Sequence, residues 1–101
     1  MRSNNMKHKQ ILEQAIKVVT GQRHKDYGDK YINHKNIADL WSDYLDVKIT
    51  PHDAAICMLL VKIARLKNKH IEDNYVDIAG YAAVAGEINA HINEKGKGKT
   101  K

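Results

Sequence analysis

The one proline of this chain lies in the run Thr50-Pro51-His52-Asp53, and that run decides where a helix must begin. A threonine hydroxyl can accept a hydrogen bond from a free N–H of the first helical turn. Proline suits the first helical position, where its missing N–H removes no intrahelical bond and its φ is already helical. Asp53 adds negative charge at the positive end of the helix dipole. The helix so started is expected to run to about residue 66 or 67. Ile56, Leu59, Leu60, Ile63 and Leu66 form its core side. Residues 54–61 are almost continuously apolar, which predicts that this is the most buried helix of the fold.

The same period recurs on both sides of it. Over about residues 7–19, Ile11, Leu12, Ala15, Ile16 and Val19 make one apolar face, and Gly21 is a stop signal. A second helix is expected from about residue 30 or 33 to 45, with Ile37, Leu40, Trp41, Tyr44 and Leu45 turned inward. A fourth spans about residues 72–93, with Tyr75, Ile78, Ala82, Ala85 and Ile88 as its stripe. The polar, glycine-bearing stretch 21–29 is a loop, and residues 68–70 form a short connection. The run 47–49 is too short to count as a strand. Four helices with short connections predict an all-α fold, a small antiparallel four-helix bundle. Alternating topology places the 21–29 loop near the end of the third helix and the start of the fourth.

The fourth helix is rich in small residues: Ala79, Gly80, Ala82, Ala83, Ala85 and Gly86. Small residues let helices approach closely, and glycine in a helix interior costs about 1 kcal/mol relative to alanine. Two glycines here therefore predict a packing role, either between helices or in a homo-oligomer.

Composition narrows the classes. The chain has 101 residues, enough for one domain. We expect a single helical domain over residues 1–94, followed by a basic flexible tail over 95–101. That tail holds four lysines, so the +5 net charge falls to about +1 for the rest. Nucleic acid would thus be bound through the tail only. The one cysteine, Cys57, cannot form an internal disulfide and is expected as a small core residue in a reducing, cytoplasmic setting. No apolar run reaches the ~18 residues that suggest a membrane span, and the N-terminus lacks a signal-type apolar core.

Two stripes could carry chemistry. Lys62, Arg65 and Lys69 share a face of the third helix, and Asp73, Asp77 and Tyr81 share a face of the fourth. A hairpin brings them together. In one reading they form a salt-bridge network in which Arg65 pairs with Asp77 or Asp73. In the other they face the loop residues Arg23, His24, Lys25, Asp26, Tyr27 and Gly28 across the bundle end. Lysine and arginine bind phosphate, a tyrosine can stack on a base, and glycine permits close approach. The aspartates can accept from a base or ribose, or hold a hard cation, with Asp73 and Asp77 as the magnesium candidates. Such a mixed-sign pocket suits a small phosphorylated, nucleotide-like ligand. No HxxxH or HExxH pair points to zinc, and there is no phosphate-loop or dinucleotide glycine motif. Trp41 and Tyr44 are expected in the core.

The runs His24-Lys25-Asp26-Tyr27-Gly28, Leu40-Trp41, Thr50-Pro51-His52-Asp53, Lys62-Ile63-Ala64-Arg65 and Asp73-Asn74-Tyr75-Val76-Asp77, with Gly80-Tyr81 after them, follow one another in a recognisable order. Over residues 10 to 90 this order resembles a family of small phage and prophage helical proteins. It is loosely similar to phage domains associated with nucleotide modification, and distantly to the all-α MazG-like nucleoside triphosphate pyrophosphohydrolases. The distant resemblance implies a nucleotide-like ligand and a magnesium-dependent hydrolysis. Those hydrolases hold magnesium with paired glutamates on one helix and an acidic pair on the next. Here the corresponding part of the third helix has Lys62 and Arg65 and no glutamate. Only Asp73 and Asp77 echo the second pair, a poor basis for a two-metal site.

Three functions follow. The first is a binder of a phosphorylated nucleotide-like ligand, which in a phage would sequester a nucleotide signal of host immunity or manage nucleotide pools in the host cytoplasm. The second is a magnesium-dependent nucleoside triphosphate pyrophosphohydrolase. The third is a module that binds DNA or a host protein.

Overall fold

A computed structural model of the chain describes residues 6–21, 30–68 and 72–96, with side chains placed through residue 92 except at residue 72. Four helices make it up: α1 (His8–Thr20), α2 (Lys30–Leu45), α3 (Pro51–Arg65) and α4 (Glu72–Gly96). All four sequence-derived helices are present, and their starts and ends fall within a few residues of expectation. Among the described residues there is no strand. The fold is an all-α bundle.

Local chemistry sets the boundaries. Thr50 Oγ1 accepts from the Asp53 N–H at 3.0 Å while Asp53 Oδ2 accepts from the Thr50 N–H at 3.0 Å, a reciprocal cap on α3. The Thr50 N–H holds the Asp53 carboxyl below its ordinary value, outweighing the opposing effect of burial, with lesser help from the Thr50 side chain and His52. At the other end Leu66, Lys67 and Asn68 donate to carbonyls three residues back, which tightens the last turn. Gly21 ends α1 where a Cβ would sit 2.5 Å from the Lys17 carbonyl oxygen, so only glycine fits. Between α2 and α3, Asp46 takes a left-handed φ of 57°. Ser42 then clasps the returning chain, accepting from the Ile49 N–H at 2.8 Å and donating to the Ala38 carbonyl at 2.7 Å.

Helix α4 is the hub. It packs most extensively on α3, then on α1, and lightly on α2, while α2 packs on α3. α1 has no comparable contact with α2 or α3. The core is accordingly built around α4. Val84, Ala85 and Ile88 pack with Ala55 of α3, and Val19, Tyr31 and Ile56 close over them. Ile88 is the largest fully buried side chain.

This arrangement corrects several sequence expectations. The most buried helix is α4, not α3: α3 buries only Ala54 and Ala55 fully, and Leu60, Val61 and Ile63 are exposed. On α1 the inward stripe is Ile11, Ala15, Val18 and Val19, while Leu12 and Ile16 are turned out because only α4 covers this helix. On α2 the inward stripe runs through His34, Ala38 and Trp41, leaving Leu40, Leu45 and Tyr44 exposed, Tyr44 almost fully. Tyr75 and Ala82 of α4 are likewise exposed. Cys57 is exposed rather than in the core, because the neighbours of α3 cover the face of Ala54, Ala55 and Met58. Of the two helix-interior glycines, Gly80 has the packing role: a Cβ there would lie 3.3 Å from the Val19 side chain, so it lets α1 settle on α4. A Cβ at Gly86 would meet nothing.

Candidate functional site

Because α1 packs on α4 and α2 mainly on α3, without packing on each other, a gap remains between them. It is a cavity of about 350 Å³, with walls from all four helices. That size lies at the lower end of small-molecule sites, roughly 300–1,000 Å³. Its apolar walls are Val18, Val19, Ile37, Met58 and Val84, and Gly80 leaves room at the α1–α4 crossing. Its polar groups are Lys30, Asn33 and His34 from α2, Lys62 from α3, and Asp77 and Tyr81 from α4.

Each polar group is positioned by its helix. Lys62 lies in the last turn of α3, where a cation also suits the helix dipole. It meets Asp77 across the α3–α4 hairpin, with Nζ 3.1 Å from Oδ2 and the side chains only 14% and 20% exposed. Tyr81 follows Asp77 by one turn, and its ring stands edge-on to His34, with centroids 6.4 Å apart at 81°. His34 is buried, and its Nδ1 donates to the Lys30 carbonyl at 2.8 Å. In the neutral ring this leaves Nε2 as an acceptor. Lys30 is the first residue of α2, and its Nζ is buried with no hydrogen-bond partner among the described residues. A buried ammonium without an acceptor is costly, and such groups in folded proteins are nearly always satisfied.

Of the residues singled out in sequence, Lys62, Asp77 and Tyr81 come together on this cavity. Arg65 and Asp73 do not. Both are exposed, and neither forms an ion pair among the described residues, so the interhelix bridge is Lys62–Asp77 rather than a pairing through Arg65. Arg23, His24, Lys25, Asp26, Tyr27 and Gly28 lie outside the described residues. The segment that contains them joins α1, whose Val18 and Val19 line the cavity, to Lys30, which lines it too.

Lys30, Asn33 and His34 were not found from sequence. His34 had a signal: it stands three, four and seven residues before Ile37, Ala38 and Trp41, on the buried side of its helix.

The acidic pair does not fit a metal. The Asp77 carboxylate is taken up by the Lys62 ammonium, Asp73 points to solvent a turn away, and no three His, Cys, Asp or Glu side chains cluster among the described residues. A cation there would have to displace an ammonium already bonded to its ligand. Among the described residues no helix is long and apolar enough to cross a membrane.

Comparison with known proteins gives a consistent picture. The chain is 45% identical over 87 residues to the Gene 55 protein of Mycobacterium phage L5, an alignment covering 84% of this chain and 56% of the relative. It is 43% identical over 79 residues to the Gene 55 protein of Mycobacterium phage D29, covering 77% and 52%. The chain thus spans about half the length of the curated relatives it matches. No solved structure matches it. The resemblance to phage proteins read from the motif order is shown by these relatives. A family model described as a domain of unknown function, DUF6378, matches residues 10–89, and the chain belongs to that family.

Proposed function

We propose that the chain binds a small phosphorylated, nucleotide-like ligand in the cavity between α1 and α2. The observation that carries this reading is Lys30, which shares the wall of the cavity with Lys62 and whose ammonium is buried with no acceptor among the described residues. A phosphate supplies several charged acceptors at once and would satisfy that donor. The rest of the lining suits the remainder of a nucleotide. Aliphatic walls match the faces of a base, while Asn33, His34 and Tyr81 offer donors and acceptors to its edge or to a ribose. Arg23 and Lys25 add positive charge to the segment that leads into Lys30.

Binding without turnover is the favoured form. The Asp77 carboxylate is engaged by the Lys62 ammonium and Asp73 is exposed a turn away, so neither is placed to hold the metal that magnesium-dependent hydrolysis uses. In a phage, such a binder would sequester a nucleotide signal or buffer a nucleotide pool in the host cytoplasm.

A thermal-shift panel tests the proposal. It uses nucleoside mono-, di- and triphosphates, cyclic dinucleotides and adenosine diphosphate ribose, each with and without magnesium. A ligand held at about 100 times its Kd stabilises the folded state by about 2.7 kcal/mol, which raises Tm by on the order of 10 °C in a domain of this size. We expect at least one phosphorylated compound to do so, and Lys30→Met to abolish the shift. Silence across the panel, or a shift that survives Lys30→Met, overturns the reading. Magnesium-dependent consumption of the bound compound replaces it with the hydrolase.

A further inference from the structure

A second cavity, of about 380 Å³, adjoins the first. Val19, Lys30 and Val84 line both, so Lys30 stands on the shared boundary. Its other walls include Tyr31 and His91, whose ring centroids are 4.2 Å apart with the planes tilted by 32°. Glu87 and Ala83 are exposed on its α4 side. Lys30, whose ammonium has no hydrogen-bond partner among the described residues, thus borders two ligand-sized spaces, one lined by His34 and Tyr81 and the other by a histidine–tyrosine pair.

From this we infer that the ligand is two-armed: two nucleoside or sugar units joined through a phosphodiester or a pyrophosphate, with the bridging anion on Lys30 and one arm in each cavity. The inference rests on the proposed binding function and adds the ligand class to it. A mononucleotide would fill one cavity and leave the other to water. A bridged ligand fills both, and its charge falls where the unpartnered cation already is. The tilted Tyr31 and His91 rings offer aromatic surface to the second arm, and the Glu87 carboxylate offers an acceptor to its hydroxyl or amino groups.

Isothermal titration of the full chain separates the possibilities. The probes are adenosine 5′-monophosphate, adenosine diphosphate ribose as the pyrophosphate-bridged form, and cyclic diadenosine monophosphate as the phosphodiester form. At least one bridged probe should bind about tenfold or more tightly than the monophosphate, a difference of about 1.4 kcal/mol. Which bridged probe is tighter identifies the linkage. Ala83→Trp, at an exposed helix position on the rim of the second cavity, should remove that advantage and leave monophosphate binding unchanged. His91→Gln should act in the same direction, and Lys30→Met should weaken all three. If the monophosphate binds as tightly as both bridged probes, or if Ala83→Trp affects none of them in a protein with wild-type helicity, the two-armed ligand is overturned while the binding function stands. If none of the three binds, both fall together.

Discussion

The Lys62–Asp77 bridge permits a quantitative test of how the α3–α4 hairpin is held. Its N–O distance is 3.1 Å and its side chains are 14% and 20% exposed. Fully exposed pairs contribute about 0.2–1 kcal/mol, whereas removing one partner of a fully buried pair costs about 3–5 kcal/mol, because the other charge stays desolvated. This pair lies between those limits, so Asp77→Asn should cost about 2 kcal/mol. In a domain of this size that lowers Tm by roughly 8–16 °C. Lys62→Met should cost a similar amount. The Lys62→Met/Asp77→Asn double variant should lie closer to wild type than the sum of the two single changes predicts, since no charge is then left unpaired. The molecule contains its own control. Lys35 and Asp39, one turn apart on α2, also sit at 3.1 Å, but their side chains are 51% and 62% exposed. Their coupling should be only about 0.3–0.5 kcal/mol and should fade in about 0.5 M salt. Urea unfolding of both double-mutant cycles, at low and high salt, measures all of this. A Lys62–Asp77 coupling below about 0.3 kcal/mol, or one as salt-sensitive as the control, refutes the reasoning.

Three further outcomes are expected. Asp53 has its folded-state pKa depressed by the Thr50 N–H, so its contribution to stability is present above its unfolded value near 3.8 and is lost as pH falls through the lower folded value. The stability gap between wild type and Asp53→Asn in urea unfolding should therefore be constant near neutrality and shrink in acid; solvent exposure keeps it small, and a gap independent of pH counts against the cap. Ile88→Ala, at the largest fully buried side chain, should cost about 2–5 kcal/mol by leaving a void beneath Val84 and Ala85, read as a lower urea midpoint with an unchanged slope. Cys57 is exposed, so it should react with a maleimide in the native protein as fast as in urea; strong native-state protection would mean that its face of α3 is covered.

Much of this protein follows from local sequence. Thr50-Pro51 and Asp53 mark the start of α3 through bonds made within four residues, and Gly21 marks the end of α1 through a contact with the preceding turn. The pairing of the Lys62 stripe with the Asp77 stripe was also legible, since a hairpin of adjacent helices leaves few other arrangements. Which apolar residues would be covered was not. Leu12, Ile16, Leu40, Tyr44, Leu60 and Ile63 sit on periodic stripes and are nevertheless exposed. Periodicity shows that a helix has an apolar side; it does not show how wide a neighbour will cover it. That depends on contacts between residues far apart in sequence. Here the small side chain of Ala85 and the bare backbone of Gly80 let α3 and α1 close on α4, and α1 and α2 are left without contact with each other. The cavity is the product of that missing contact, and so is the setting of Lys30 and His34, which in the sequence are an ordinary lysine and histidine one helical turn apart.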